Sequence, residues 1–120
     1  MARKILTLNQ ISVKGLERLP RDAYEIASEF SSPDAILLRS HQLKAEEIAG
    51  SVLAIGRAGA GVNNIPVAEC SRRGIPVFNS PGANANAVKE LVATAMLLGS
   101  RGIIEGIRYV DTLAGLKDKT

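Results

Sequence analysis

Short, uninterrupted runs of apolar residues limit the folds open to this chain more than any other feature. Runs of four to eight apolar residues bounded by turn residues are typical of strands that are buried on both faces. One such run ends at Asn9-Gln10, and another follows the turn pair Pro33-Asp34. We predict five strands, the second weakened by an internal glutamate: Ile5–Leu8, Tyr24–Ala27, Ala35–Leu38, Val52–Ile55 and Ile75–Phe78.

Segments with helical spacing of their apolar residues lie between these runs. They are Val13–Leu19, Lys44–Ala49 and Val67–Arg73, the last closed by Gly74. Strands that alternate with helices and are themselves almost wholly apolar indicate a parallel sheet covered on both faces. The sequence therefore predicts an α/β fold, a flavodoxin-like parallel sheet with helices on both faces.

The last third of the chain follows a helical pattern throughout. Asn84 or Asn86 is placed to cap a helix whose apolar residues recur at helical spacing, and the pattern resumes after a break rich in glycine. If continuous, this element would span on the order of 40 Å, which is more than the width of a domain of this size. We expect a long C-terminal helix that reaches out of its own domain.

Composition excludes several classes of function. The net charge is +3, but the 15 Lys and Arg residues are scattered and aromatic residues make up only 3% of the 120, which argues against a nucleic-acid surface. A single cysteine, Cys70, excludes an intrachain disulfide and is typical of a reducing compartment. No window is long and apolar enough for a membrane span or a signal sequence. These features predict a cytoplasmic protein without a nucleic-acid or membrane partner.

The stretch AIGRAGAGVNNIP places Arg57 among glycines, directly after a predicted buried strand. It is neither a dinucleotide fingerprint, because Asn64 stands at the third glycine position, nor a phosphate-binding P-loop, because no Gly-Lys-Ser/Thr is present. Exposed N–H groups beside a guanidinium would suit a carboxylate or a phosphate. The alternative is a tight strand-to-helix turn in which Arg57 pairs with a nearby carboxylate.

Two further polar clusters follow predicted strands and so fall at the same sheet edge. Arg39-Ser40-His41-Gln42 comes after Ala35–Leu38, and Asn79-Ser80-Pro81 comes after the last strand. Open α/β sheets bind ligands at this edge. The simpler interpretations are an ordinary surface histidine at His41 and a turn that starts the long helix at Asn79-Ser80-Pro81. Cys70 is interpreted as a buried structural residue, and no metal site is assigned.

The segments AILLRSHQL, GRAGAGVNNI, RRGIPVFNSPGANANAV and E-L-V-A occur here in one order. In that order they resemble the substrate-binding domain of the D-isomer-specific 2-hydroxyacid dehydrogenases, over about residues 5 to 103. The resemblance implies a flavodoxin-like domain that faces an NAD-binding Rossmann domain. It also implies hydride transfer between the nicotinamide and C2 of a 2-hydroxy acid.

Roles for individual residues come from this resemblance alone. Arg39 and Ser40 match positions near the phosphate end of phosphoglycerate. Arg57, Ala58 and Gly59 match the loop that holds the substrate carboxylate with its backbone N–H groups. The cofactor-binding positions are Ser80, which matches a residue that contacts the cofactor, and Asn84, which matches one near the domain hinge.

The same resemblance marks what these 120 residues do not contain. In the family, the NAD-binding domain follows the crossing helix and supplies the catalytic arginine, glutamate and histidine, so no catalytic residue is assigned here and His41 is not promoted to that role. We expect residues 1–100 to form the substrate-binding domain and residues 101–120 to be a remnant of the interdomain crossing helix. A fragment of a longer protein is favoured over a naturally partial copy.

Two functions are carried forward. The first is the substrate-binding domain of an NAD-dependent dehydrogenase for a small acidic substrate resembling phosphoglycerate, inactive by itself. The alternative is a stand-alone module that binds a small anion or dimerises through its C-terminal helix. A homodimer is expected in either case, because an unpartnered stripe of large aliphatic side chains would form that helix face.

Overall fold

The computed structural model describes residues 1–114, and within them a sheet of five parallel strands forms the first of two compact units. The strands are β1 (Arg3–Leu8), β2 (Tyr24–Ala27), β3 (Ala35–Leu38), β4 (Ala54–Arg57) and β5 (Val77–Phe78). Their order across the sheet is β2-β1-β3-β4-β5. This is the flavodoxin-like order, so the predicted fold class is confirmed.

Three short helical segments connect the strands: α1 (Val13–Leu16), a 3₁₀ turn at Ala45–Glu47 and α2 (Val67–Arg72). The connection from β1 to β2 leads toward one edge of the sheet, whereas the connections from β3 to β4 and from β4 to β5 lead toward the other edge. Because such crossovers are right-handed, α1 lies on one face of the sheet and the other two segments lie on the opposite face. All three segments are shorter than the helices predicted from the sequence, and α1 ends three residues before its predicted end at Leu19. Pro20 stops α1 early because the residue before a proline is driven out of the helical region.

The strand boundaries also differ from the predicted ones at β4 and β5. Val52 is buried but precedes β4, which instead extends through Gly56 to Arg57. Pro76 has no N–H to give to a ladder, and its carbonyl accepts a hydrogen bond from the N–H of Ile55 at 3.0 Å just before β5 begins. The shift brings Arg57 into the sheet, at the last position of β4.

One face of the sheet carries the hydrophobic core. Ile36, Leu38 and Ile55 are fully buried there. They pack with residues of the crossover segments and of α2: Leu43, Ile48, Val52, Ile65, Cys70 and Ile75. Burial raises the pKa of the Cys70 thiol. A neutral, fully buried thiol is structural, as predicted for this cysteine.

The opposite face is more open, because α1 is a single turn. Ile5, Leu37 and Phe78 line an apolar hollow of about 270 Å³ on this face, together with Leu19 from the segment after α1. Gly56 lies under Leu37, and a Cβ added there would be 2.8 Å from the Leu37 Cδ2 atom. Gly56 therefore provides the space into which the Leu37 side chain packs.

The second unit begins at Asn84 and contains two helices, α3 (Ala85–Arg101) and α4 (Ile103–Leu113). The long C-terminal helix is present as α3, but it is not continuous to the end, because Gly102 between the helices takes a left-handed conformation with φ of 59°. Residue 100, the predicted end of the substrate-binding domain, lies inside α3. The boundary between that domain and the remnant of the crossing helix stays a prediction. The end of the predicted remnant, residues 115–120, lies outside the described residues.

Asp34 ties together the beginnings of the three central strands. Its carboxylate accepts hydrogen bonds from the Lys4 N–H at 2.8 Å and from the Arg3 guanidinium at 3.0 Å. Its own N–H donates to the Lys4 carbonyl, and its carbonyl accepts from the Leu53 N–H. The bond from the Lys4 N–H, followed by that from Arg3, lowers the pKa of Asp34 below its usual value.

We expect Asp34→Asn to flatten the dependence of stability on pH in the acid range. A carboxyl whose pKa is depressed by folding stabilises the protein fully above its unfolded pKa of about 3.9, and this contribution is lost as the pH falls through the lower folded pKa. Thermal unfolding followed from neutral pH to about pH 2.5 measures the effect. Asp22→Asn is the control, since the Asp22 carboxylate makes no hydrogen bond to the described residues. Parallel curves for wild type and Asp34→Asn would contradict the assignment.

Candidate functional site

The polar residues that follow the strands meet at the carboxyl edge of the sheet. The N–H of Ser80 donates to the Gly59 carbonyl at 3.0 Å, and the Ser80 hydroxyl donates to the Arg57 carbonyl at 3.3 Å. The Arg57 Nε donates in turn to the carbonyl of Arg39 at 3.0 Å. The loops after β3, β4 and β5 are thus joined, and they contain all the predicted substrate-binding residues: Arg39, Ser40, Arg57, Ala58 and Gly59.

Arg57 folds back over its own loop instead of pairing with a carboxylate. Besides the Arg39 carbonyl, its guanidinium donates to the carbonyl of Gly61. A Cβ at Gly59 would be 3.3 Å from the Arg57 Cζ, and one at Gly61 would be 3.1 Å from a terminal guanidinium nitrogen. The glycines around Arg57 therefore make room for its side chain, a reason that the sequence pattern did not reveal.

The hydrogen bonds of the loop after β4 determine which of its backbone N–H groups are free to bind a ligand. Ala58 donates to the Leu38 carbonyl at 2.8 Å, and Gly59 donates to the Arg57 carbonyl at 3.0 Å. Both of these N–H groups are thus used within the fold, and the expectation that the N–H groups of this loop hold a substrate carboxylate stays a prediction. The N–H groups of Ala60 and Gly61, both exposed, have no acceptor among the described residues.

The loop after β3 presents Arg39 on a firmly held backbone. The Arg39 side chain is exposed, and its guanidinium makes no hydrogen bond to the described residues. The Oδ1 atom of Asn9, which directly follows β1, accepts the N–H groups of Ser40 at 3.0 Å and of His41 at 2.6 Å. Buried Asn64 donates from Nδ2 to the carbonyls of Arg39 at 3.2 Å and of His41 at 2.7 Å.

His41 pairs with the carboxylate of Glu47, six residues further along the chain. Its Nε2 lies 3.0 Å from the Glu47 Oε1, and the other Glu47 oxygen accepts the Lys44 N–H at 2.6 Å. The Lys44 N–H, followed by His41, lowers the pKa of Glu47. The residues that the structure describes contain no group of three His, Cys, Asp or Glu side chains suited to a metal ion.

Three asparagines at this edge received no role of their own from the sequence, although Asn79 lies in one of the polar clusters that the sequence predicted there. Asn9 and Asn64 hold the loop after β3, and Asn79 donates from Nδ2 to the Ala60 carbonyl at 2.7 Å. Their common signal is an asparagine just after a strand or within a glycine-rich loop, where its amide can satisfy free backbone groups. Asn84, predicted near the hinge, is the N-cap residue of α3, and its side chain makes no capping hydrogen bond.

A parallel sheet in flavodoxin-like order, with arginine, serine and amide side chains at its carboxyl edge, defines a doubly wound α/β domain, and this is the edge at which such folds bind ligands. Residues 2–113 match the family model described as D-isomer specific 2-hydroxyacid dehydrogenase, catalytic domain. The chain therefore belongs to this family.

Individual relatives of this chain have names that are more specific than the description of the family. The D-3-phosphoglycerate dehydrogenase of Archaeoglobus fulgidus is 31% identical over 121 positions, which cover 89% of this chain and 23% of that protein. The enzyme of the same name from Dictyostelium discoideum is 32% identical, with 82% and 28% covered. The chain thus spans about a quarter of the length of these relatives.

Solved structures agree with the family. Crystal structures of NAD⁺-bound 3-phosphoglycerate dehydrogenase from Entamoeba histolytica and of a 2-hydroxyacid dehydrogenase from Ketogulonicigenium vulgare match with TM-scores of 0.70 and 0.74. Their sequence identities to this chain are 27% and 25%. The matches cover 82% and 93% of this chain, and 39% and 40% of those chains.

In the described part of this chain, no helix is both long and apolar enough to cross a bilayer.

The loop between β4 and α2 does not fit a dinucleotide. Its turn is filled by the Arg57 guanidinium, and the third glycine position of the fingerprint holds buried Asn64. The helix that follows has only six residues and no side-chain cap at its start. Binding of a pyrophosphate requires an open glycine turn that leads directly into a helix N-terminus. This loop therefore lacks the open turn that the pyrophosphate of NAD requires.

We expect Arg57→Lys to lower the free energy of unfolding by about 1 kcal/mol or more, because lysine keeps the charge but cannot donate to both the Arg39 and the Gly61 carbonyls. Arg39→Lys is the matched control and should leave stability unchanged, since its guanidinium makes no hydrogen bond to the described residues. Urea unfolding of both variants measures the difference. Equal stabilities of the two variants would contradict the conclusion that the hydrogen bonds of Arg57 stabilise the fold.

Proposed function

We propose that this chain is the substrate-binding domain of an NAD-dependent D-3-phosphoglycerate dehydrogenase, which oxidises 3-phosphoglycerate to 3-phosphohydroxypyruvate in serine biosynthesis. The observation that carries the proposal is the exposed Arg39 guanidinium, which has no hydrogen bond to the described residues and stands on a backbone held by Arg57. A guanidinium presented in this way suits a phosphate, which it can bind through two parallel hydrogen bonds. The names of the relatives support the substrate.

The substrate is assigned to the edge of the sheet in two parts. Arg39 and the exposed Ser40 hydroxyl bind the phosphate, while the N–H groups of Ala60 and Gly61 bind the carboxylate at the other end of the molecule. Arg57 acts on both parts indirectly, because its guanidinium donates to the carbonyls of Arg39 and Gly61. Ser80 and Asn84 are proposed to lie toward the cofactor.

The oxidation itself is assigned to groups that this chain does not supply. Hydride transfer needs a bound nicotinamide, and the proton of the 2-hydroxyl group needs a general base. The described loops contain no cradle for NAD. We therefore propose that this chain binds substrate but does not turn it over, and that the protein works in the cytoplasm.

We expect D-3-phosphoglycerate to bind the 120-residue chain with a dissociation constant of about 1 mM, corresponding to roughly 4 kcal/mol. NMR titration should show amide shifts around Ser40, Ala60 and Gly61, and NADH formation with added NAD⁺ should not exceed a blank. Arg39→Gln should weaken binding of phosphoglycerate, while binding of D-glycerate, which has no phosphate, should not change. Equal loss for both ligands would contradict the assignment of Arg39 to the phosphate, and NAD-linked turnover would contradict the inactivity.

A dimerisation module remains a second candidate because of the side chains of α3 and α4. Ile103, Ile107 and Val110 form a stripe on α4 and are 42%, 54% and 62% exposed. Leaving a large aliphatic side chain in water forfeits about 1.5–3 kcal/mol relative to burial. The charges of the two helices are balanced, with three basic and three acidic side chains: Lys89, Arg101 and Arg108, and Glu90, Glu105 and Asp111. Two copies could therefore pair without net repulsion.

We expect the intact chain to be a homodimer at high concentration in light scattering, with twice its mass of 12.7 kDa. Truncation after Ser100 removes α4 and should give a monomer. Ile107→Glu should do the same because it places a charge in the apolar stripe, whereas Arg108→Glu adds a carboxylate on the polar face and should leave the dimer intact. A monomer for the wild type would remove this second function, and equal effects of the two substitutions would exclude the stripe as its surface.

A further inference from the structure

The backbone from Arg39 to His41 is held by three side chains, each from another part of the sheet edge. Asn9 accepts the N–H groups of Ser40 and His41. Asn64 donates to the carbonyls of Arg39 and His41, and Arg57 donates to the carbonyl of Arg39 as well. A loop of three residues that has four of its backbone groups fixed in this way has little freedom to move.

Asn9 is suited to its position in two ways. Its φ is 74°, in the left-handed region that asparagine and aspartate tolerate better than other residues with a side chain. Its Oδ1 atom accepts both N–H groups of the loop, at 3.0 Å and 2.6 Å, so the interaction uses Asn9 only as an acceptor. An aspartate would keep both properties, whereas a glycine would keep only the first.

Asn64 plays the opposite chemical part. It is 5% exposed, and its Nδ2 atom donates to two carbonyls, which fixes the orientation of the amide. Its Oδ1 atom is buried and has no hydrogen-bond partner among the described residues. An unpaired buried oxygen is costly, so its presence indicates that the two donated bonds are the reason for this amide. An ionised aspartate could donate neither bond.

We propose that Asn9 and Asn64 are positioning residues, which fix the backbone of Arg39–His41 so that the Arg39 guanidinium is held ready for a phosphate-bearing ligand. The proposal rests on the proposed function, because it assumes that Arg39 binds the anion. A preset loop binds more tightly than a mobile one, since it does not have to be ordered on binding. Asn9 and Asn64 act without touching the ligand.

One substitution, asparagine to aspartate, tests the proposal at both positions with different expected outcomes. Asn9→Asp keeps its two accepted bonds, so it should lose only the affinity that a negative charge beside Arg39 costs, and it should bind D-3-phosphoglycerate more tightly than Asn64→Asp. Asn64→Asp loses both donated bonds, and its affinity for D-3-phosphoglycerate should fall by about tenfold or more. Asn63→Asp is the control for a negative charge added near the ligand, because Asn63 is exposed, lies beside Gly61 and makes no hydrogen bond to the described residues.

Hydrogen exchange of the Ser40 and His41 amides in the absence of ligand provides a readout that does not depend on binding. We expect these two amides to exchange faster in Asn64→Asp and in Asn9→Gly than in the wild type, with amides of the buried strands unchanged. If Asn64→Asp does not fold, the pair Asn9→Gly and Asn9→Asp carries the test, and the first alone should exchange its Ser40 and His41 amides faster. Equal affinity and equal exchange in all variants would overturn the proposal. A wild type that binds no phosphoglycerate but shows the expected exchange would instead overturn the proposed function.

Discussion

Parallel pairing of β1, β3 and β4 is the constraint on which the candidate site depends. Because the three strands run in the same direction, all of them end at one edge, where the ladder stops and backbone groups lose their partners. Backbone N–H and C=O groups are strong donors and acceptors, and in folded proteins they are paired with backbone, side chains or water. Here side chains pair them: Asn9 takes two N–H groups, while Arg57 and Asn64 donate to carbonyls. The same residues that complete the sheet thereby shape the site.

The sequence predicted the sheet well, because its strands are buried and their apolar runs need no partner to be recognised. Tyr24–Ala27 and Ala35–Leu38 have the predicted bounds, even though Glu25 weakens the first pattern. The short helices were less predictable, because helices of one or two turns depend on packing more than on intrinsic propensity. Pro20 and Gly102 are the local signals that ended the short helix α1 and the long helix α3 earlier than predicted.

The site was predictable in its location but not in the direction of its hydrogen bonds. Strand ends in the sequence indicated that Arg39, Arg57 and Ser80 belong to one edge. Nothing in the pattern distinguishes a guanidinium that binds a ligand from one that binds backbone carbonyls, because both need an arginine beside glycines. The positive φ of Asn9 and the burial of Asn64 likewise follow from packing between distant segments, which sequence spacing does not reveal.

The choice of amides over carboxylates at this edge agrees with an anionic ligand. An aspartate at position 9 could accept the same two N–H groups, and carboxylates are the stronger acceptors. It would, however, put a negative charge beside Arg39 and lower the attraction of that guanidinium for a phosphate. Asn9, Asn64 and Asn79 satisfy backbone donors and acceptors at no such cost. The carboxylate of Glu47 in the same loop is engaged by the Lys44 N–H and by His41 and makes no hydrogen bond to Arg39 or Arg57.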